Sequence, residues 1–174
     1  DAVGETEFYA WDSMLASKKI ASTDVTYALS RRNWSNSTTF DMYRHDISAS
    51  NTTTSGASNI YDSTFYFRTS DNRVYKVLDN NGGTAYSGAE PTSESTSPFA
   101  LGGYILKYMY SITSSEAAKY LTTDFMPVSD DSTVTAAATD GKIESLDVTA
   151  GSGYTDGTYY SPIQGDGTNA GTSS

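Results

Sequence analysis

Residues 29–47, LSRRNWSNSTTFDMYRHDI, gather three of the chain's eleven basic residues, its single histidine and one of its two tryptophans. Asp41, His45 and Asp46 are the residue types of an acid–base relay, because a carboxylate can orient an imidazole that then moves a proton. No Gly-x-Ser-x-Gly elbow accompanies them. With fifty Ser and Thr in the chain, a hydroxyl near His45 would carry no information. His45 is therefore expected in a structural or interface role. The twenty-one Asp and Glu could supply the carboxylate pair of a glycosidase, but many sit in polar runs such as SDDST, where solvated surface is the ordinary outcome. Asp156 and Asp166 stand beside glycines in GSGYTDGTY and GDGTNAGT, as in calcium loops; the EF-hand pattern is not met, and plain turns explain them. Zero cysteines remove disulfides and thiolate chemistry, and one histidine leaves little for zinc. No catalytic residue, metal or cofactor is expected.

The elements that would position these groups follow from composition and pattern. At 174 residues with 37% apolar content the chain can build a core. Abundant Ser and Thr favour strands and turns over long helices. Fourteen tyrosines against six phenylalanines suggest broad half-wet contact surfaces. The formal charge of −10 opposes nucleic-acid binding, which needs clustered Lys and Arg to neutralise phosphates. No apolar run approaches a membrane span, and no signal-peptide core is seen. The chain opens on Asp1, which implies a processed, trimmed or incompletely represented product. Sequons at Asn33, Asn36 and Asn51 are no more than the Ser and Thr abundance produces, and no glycans are assigned.

Phe8, Trp11 and Leu15 recur at helical spacing, with acids early and Lys18 and Lys19 late, so residues 5–19 are read as a helix. A strand is expected over 24–30. The runs 64–69 and 74–78 flank the polar SDNR segment and predict a hairpin. The segment TAYSGAEPTSESTSPFALGG is read as a polar loop free to move. In YILKYMYSI, residues 104–112, the alternation predicts a strand buried on both sides. Thr113 and Glu116 have capping-box spacing at the head of a short helix, and TTDFMPV is extended before its proline. Composition shifts near residue 130. We therefore divide the chain into a β domain over 1–129 and a glycine-rich β appendage over 130–174, starting with the linker-like SDDSTVTAAATDG.

The ordered series WDSML, KKIASTDVTYALSRRNW, FDMYRHDIS, FYFRTSDNRVYKVLDNN, GGYILKYMYSI and LTTDFMPV resembles the baseplate wedge protein family of T-even-type contractile-tailed bacteriophages, in the version found in marine phages. The most specific elements are an Arg-Arg-acid-or-amide-Trp motif, matched by Arg31, Arg32, Asn33 and Trp34, and a Gly-Tyr-x-x-Lys-Tyr strand, matched by Gly103, Tyr104, Lys107 and Tyr108. The likeness runs from Trp11 to Val128. Two departures stand out: a further N-terminal strand segment usual in the family is absent, and Leu106 stands where many members have an acidic residue or Trp. The resemblance implies a mainly β, non-enzymatic building block of the virion tail baseplate, commonly paired as a homodimer within each wedge.

The expected fold is thus mainly β, with sandwich-like antiparallel sheets and one or two short helices. The expected function is that of a structural subunit contacting other baseplate wedge subunits, without nucleic acid or membrane insertion. Arg31, Arg32, Trp34, Arg44, His45, Tyr104, Lys107 and Tyr108 are the candidate interface or bracing residues. Consecutive residues of an extended chain face opposite ways, so Arg31 and Arg32 should diverge, one toward the Asp41 or Asp46 region and the other beside Trp34. The alternatives are a carbohydrate-binding or receptor-recognition module, whose exposed tyrosines would stack on sugars, and a glycan-cleaving tail enzyme.

Overall fold

A computed structural model describes residues 3–139 together with Ile143, Ser152, Gly153, Thr155 and Gly157. The described chain runs α1 (Val3–Ser13), a 3-10 turn (Ser22–Asp24), β1 (Ala28–Ser30), β2 (Tyr66–Arg68), β3 (Arg73–Asp79), β4 (Phe99–Leu101), β5 (Tyr104–Ser111), α2 (Ser114–Tyr120), β6 (Phe125–Pro127) and α3 (Ser132–Ala137). It is mainly β: a four-stranded antiparallel sheet in the order β2-β3-β5-β4 and a two-stranded antiparallel ribbon of β1 and β6.

The expected hairpin is β2–β3. Asn72 closes its turn at φ 66°, a left-handed conformation that a short amide side chain tolerates. A second hairpin joins β4 to β5 through Gly102 and Gly103, with φ of 64° and 86°. Two successive positive φ values match the twist of flanking strands, which is why a Gly-Gly pair sits there.

In β5 the residues Tyr104, Leu106, Tyr108 and Tyr110 are buried, whereas Ile105, Lys107, Met109 and Ser111 are only half-buried. The expectation of burial on both sides is corrected: one face carries the core and the other is partly wet. In β3 the alternation fails at Val74 and Tyr75, adjacent yet both buried. A bulge explains it, since Val74 faces Tyr110 and Tyr75 faces Tyr108, leaving Met109 the extra residue.

The core forms two clusters. Phe40, Phe67, Tyr75, Val77, Tyr86, Tyr104, Leu106 and Tyr108 make the first; Tyr66, Val74, Tyr110, Ile112 and Met126 make the second, so that Met126 of β6 docks the ribbon on the main sheet. Six tyrosines are therefore core residues, against the expectation of tyrosine surfaces. Their hydroxyls explain the choice over phenylalanine. Tyr104 donates to Thr84 O at 2.7 Å, Tyr75 to Ser93 O at 2.9 Å, Tyr86 to Ala89 O at 2.8 Å and Tyr110 to Pro127 O at 3.1 Å. Each ring fills the core while its tip secures a neighbouring segment, irregular for Tyr75, Tyr86 and Tyr104 and the end of β6 for Tyr110. Burial pushes the Tyr75 phenol up to about 12, well above its ordinary value.

The segment expected to move is instead fastened. Pro91 and Tyr86 are fully buried. Glu90 accepts from Ser70 N and Oγ at 2.6 Å each, and Glu94 accepts from Arg73 Nε at 2.7 Å, so both acids clip it to the β2–β3 turn.

The helices follow their caps. Thr113 N donates to Glu116 Oε2 at 2.9 Å and Glu116 N to Thr113 Oγ1 at 3.3 Å, the reciprocal box expected for α2. The first helix stops at Ser13, short of residue 19, and Lys18 pairs with Asp24 at 2.8 Å instead of serving a helix end. Only Ala28–Ser30 of the expected 24–30 strand is regular, because Asp24 accepts from Ala21 N at 2.9 Å and winds the preceding turn. The segment expected as linker contains the helix α3. Asp131 caps it through Thr133 N and Val134 N, and Val134 packs on the first cluster. The short strands expected after residue 140 lie outside the described residues.

Candidate functional site

The Arg31–Trp34 segment leaves β1 and runs beside β2 as an added parallel rail: Arg68 N donates to Arg32 O at 2.7 Å and Trp34 N to Arg68 O at 2.8 Å. The two arginines diverge as extended backbone requires. Arg31 reaches Thr122 O at 2.8 Å and Asn33 Oδ1 at 3.1 Å. Arg32 lies over the Tyr66 ring, 4.7 Å from its centroid, and bonds the Tyr66 hydroxyl and the Tyr61 and Asp62 carbonyls, the latter two at 3.1 Å. Neither arginine ties down Asp41 or Asp46, contrary to expectation. Arg68 joins the corner by donating to Asn33 Oδ1 at 3.2 Å; burial and then the neighbouring Arg31 hold its pKa below the usual arginine value. Trp34 does not project. It is half-buried, packs edge-on against Tyr86 at 5.8 Å, and its buried Nε1 has no hydrogen-bond partner among the described residues.

Arg32 is thus a brace between β2 and the 61–62 turn. Arg32→Ala is expected to cost about 2 kcal/mol in the denaturation midpoint, from one cation–π contact and several hydrogen bonds. Arg32→Lys should recover little, because an ammonium cannot span the ring hydroxyl and two carbonyls as a planar fork does.

Arg44 pairs with Asp46 at 3.1 Å within its own turn, and that hydrogen bond is the chief cause of the lowered Asp46 pKa. His45 is exposed beside them. Asp41, the other half of the envisaged relay, is turned inward and holds no imidazole. Its Oδ1 accepts from Ser55 N at 2.7 Å; its Oδ2 accepts from Ser55 Oγ at 2.7 Å, Thr64 N at 2.8 Å and Ser63 Oγ at 3.1 Å. Burial raises its pKa, but the hydrogen bonds from Ser55 and Thr64 outweigh burial and hold it below the usual carboxylate range. The carboxylate is a clasp on the hydroxyl-rich 53–64 loop. Sequence reasoning missed that role, though the loop's Ser and Thr density was the visible signal.

Tyr104 and Tyr108 are core residues; the Tyr108 hydroxyl also donates to Asp131 Oδ2 at 3.2 Å. Lys107 stands on the half-exposed face of β5 opposite Lys76. The candidate residues are thus spread over a corner, a turn and a strand, and do not converge.

Several large apolar side chains are exposed instead. Phe8 is 78% exposed, Trp11 67%, Leu15 103% and Ile20 70%, so the apolar stripe at helical spacing faces solvent. Val25, Tyr27 and Phe125 on and beside the ribbon are exposed too. A groove of about 430 Å³ between the Ser22–Asp24 turn and α2 is lined by Val25, Lys119 and Tyr120 among others. Asp24 ties its two walls together by bonding Lys119 at 3.0 Å, and it also holds Lys18 at 2.8 Å.

Among the described residues no group of three or more acids and histidines is placed to hold a metal ion, and no helix is long and apolar enough to cross a membrane. Asp156 and Asp166 lie outside the described residues. No family model, curated protein or solved structure matches the chain.

Proposed function

We propose that the chain is a structural subunit of the baseplate wedge of a contractile phage tail, acting through contacts with other wedge subunits and with a second copy of itself. The observation that carries this reading is the number of large aromatic and aliphatic side chains left exposed between Phe8 and Tyr27, on a chain whose body is fastened by internal clasps. Apolar patches of more than a few hundred Å² on a folded chain mark partner sites. A body whose loops are tied by Asp41, Glu90 and core tyrosines keeps a fixed shape, which is what an assembly part requires. The ordered likeness from Trp11 to Val128 gives the setting. Antibody labelling of tailed particles carrying this protein should place it at the baseplate. Label confined to the sheath, head or host would end the proposal.

The exposed rings of Tyr27 and Tyr61 favour carbohydrate recognition as the second reading. Saturable binding on a glycan array, abolished by Tyr61→Ala, would establish it in place of the first.

A further inference from the structure

The chain holds twenty-one acids against eleven Lys and Arg, so an arginine that finds no carboxylate calls for an explanation. Arg44 pairs with Asp46, Arg73 with Asp71 and Glu94, and Lys18 and Lys119 share Asp24. Arg31 and Arg68 differ. Among the described residues no Asp or Glu is in ion-pair contact with either, yet both donate to one neutral atom, Asn33 Oδ1, at 3.1 and 3.2 Å. Glu90 acts on Arg68 from farther off, but both its oxygens are engaged by Ser70. Asp124 accepts from Arg31 N through its backbone oxygen, and its carboxylate pairs with neither guanidinium. Arg32 lacks an acid too, but Tyr66 and two carbonyls occupy it. Two positive groups thus converge on an amide oxygen where a carboxylate would neutralise both. We propose that Arg31 and Arg68 form a receptor for one carboxylate, an Asp or Glu side chain of a partner protein, and that Asn33 Oδ1 holds the place of a carboxylate oxygen until the partner arrives. The inference rests on the contact reading above and supplies the chemistry of one contact.

The corner suits that ligand in three ways. Donors remain: of the five N–H groups on a guanidinium, Arg68 uses three, on Asn72 and Asn33, and Arg31 two, on Asn33 and Thr122 O. The donors are also held in place. Arg68 lies in β2 and its Nε donates to Asn72 Oδ1 at 2.8 Å, while Arg31 N donates to Asp124 O at 2.7 Å, so little order has to be gained on binding. Access is open, because Asn33 and Thr122 are exposed and both arginines are half-buried, where a charge-assisted bond is stronger than in bulk water. Burial and then Arg31 hold the Arg68 pKa down, the direction expected of a cation without a counter-charge. A nucleic-acid phosphate would bring a polyanion toward a chain of net charge −10, whereas an acidic side chain brings a single charge.

The test follows the arginine Nε–H resonances of the whole chain by NMR as a blocked glutamate, N-acetylglutamic acid α-amide, is added. The matching blocked glutamine and inorganic phosphate are the comparison probes. The Arg31 and Arg68 signals should shift together and saturably with the glutamate probe, while Arg73, already paired, stays in place. The glutamine probe should move none of them. Arg31→Gln and Asn33→Asp should each weaken binding at least about tenfold. Asn33→Asp should also raise the thermal midpoint, since it puts the missing carboxylate into the chain itself. Tail particles assembled from equal amounts of parent and Asn33→Asp copies should take up the parent in at least about tenfold preference. Shifts no larger for Arg31 and Arg68 than for Arg73 overturn the receptor, as do equal shifts with the glutamine probe. Phosphate binding at least about tenfold tighter than glutamate overturns the choice of carboxylate. Undiminished binding by Asn33→Asp overturns the role given to Asn33, and equal uptake of the two copies into particles overturns the assignment to a partner protein. The titrations use the isolated chain, so their failure leaves the wedge reading intact, whereas label absent from the baseplate would end that reading whatever the arginines bind.

Discussion

Asp41→Ala is expected to destabilise the fold by about 3–5 kcal/mol, lowering the melting temperature by roughly 10–15 °C. The substitution removes the acceptor for two backbone N–H groups and two hydroxyls at once, in a place with no solvent access. The hydroxyls can turn elsewhere; the amides of Ser55 and Thr64 cannot. Asp41→Asn keeps the shape but points an amide N–H₂ at donors, so a loss of about 2–3 kcal/mol is expected. The pH dependence has a definite sign. Because the folded carboxyl is held below its ordinary value, the unfolded chain takes up this proton first as pH falls. The stabilisation is complete above about pH 4 and is lost as pH drops through the lowered folded value. Denaturation curves at pH 7 and pH 3 should therefore converge for parent and Asp41→Asn as the medium is acidified. A constant gap between them would show that the ionised form is not what clasps the loop.

Gly102→Ala should be nearly as damaging, at about 3–5 kcal/mol. A Cβ there would stand 2.5–2.7 Å from three ring carbons of Tyr86, a fully buried side chain that cannot withdraw. Backbone strain adds about 1–2 kcal/mol, because φ is +64°. Gly103→Ala separates the two costs. Its φ is +86°, but its Cβ would meet only the Asn81 side chain, at 3.4 Å. It should lose the strain cost alone, and the difference between the midpoints reads the ring clash. Equal losses at both positions would mean that the turn, and not the packing of Tyr86, sets the requirement for glycine.

What the sequence made legible was local. The strand β5, the β2–β3 hairpin around SDNR and the Thr113–Glu116 cap all depend on residues a few positions apart, and they are present as expected, although β5 buries one face and not both. What it hid depends on residues that meet only after folding. Asp41 is enclosed by Ser55, Ser63 and Thr64, at separations of 14 to 23 positions, and nothing nearby distinguishes it from a surface acid. The Val74–Tyr75 bulge breaks the period that pattern reading relies on. The Phe8, Trp11 and Leu15 stripe was correctly spaced for a helix, yet spacing cannot say whether an apolar face meets its own core or stays open. Of the candidate residues, Arg32 is visible as a brace, Tyr104 and Tyr108 as core, and His45 as exposed surface. Glu90 and Glu94 were lost in a segment whose polar composition looked like slack.

The register of the ribbon also decides how the molecule answers tension. Ala28 opposes Pro127 and Ser30 opposes Phe125, so the pair nearest the chain's two ends lies at one tip of the ribbon. Once the Tyr108–Asp131, Val134 and Asp24–Lys119 contacts outside the ribbon have yielded, a pull applied through those ends meets the cross-strand hydrogen bonds one at a time, starting at Val128 N to Tyr27 O, instead of loading them together in shear. Each bond is worth only about 1 kcal/mol in water. The ribbon therefore unzips at low force, drawing Met126 from the second cluster, while the four-stranded sheet keeps its own pairing. Strain passed along the chain would be spent at this seam.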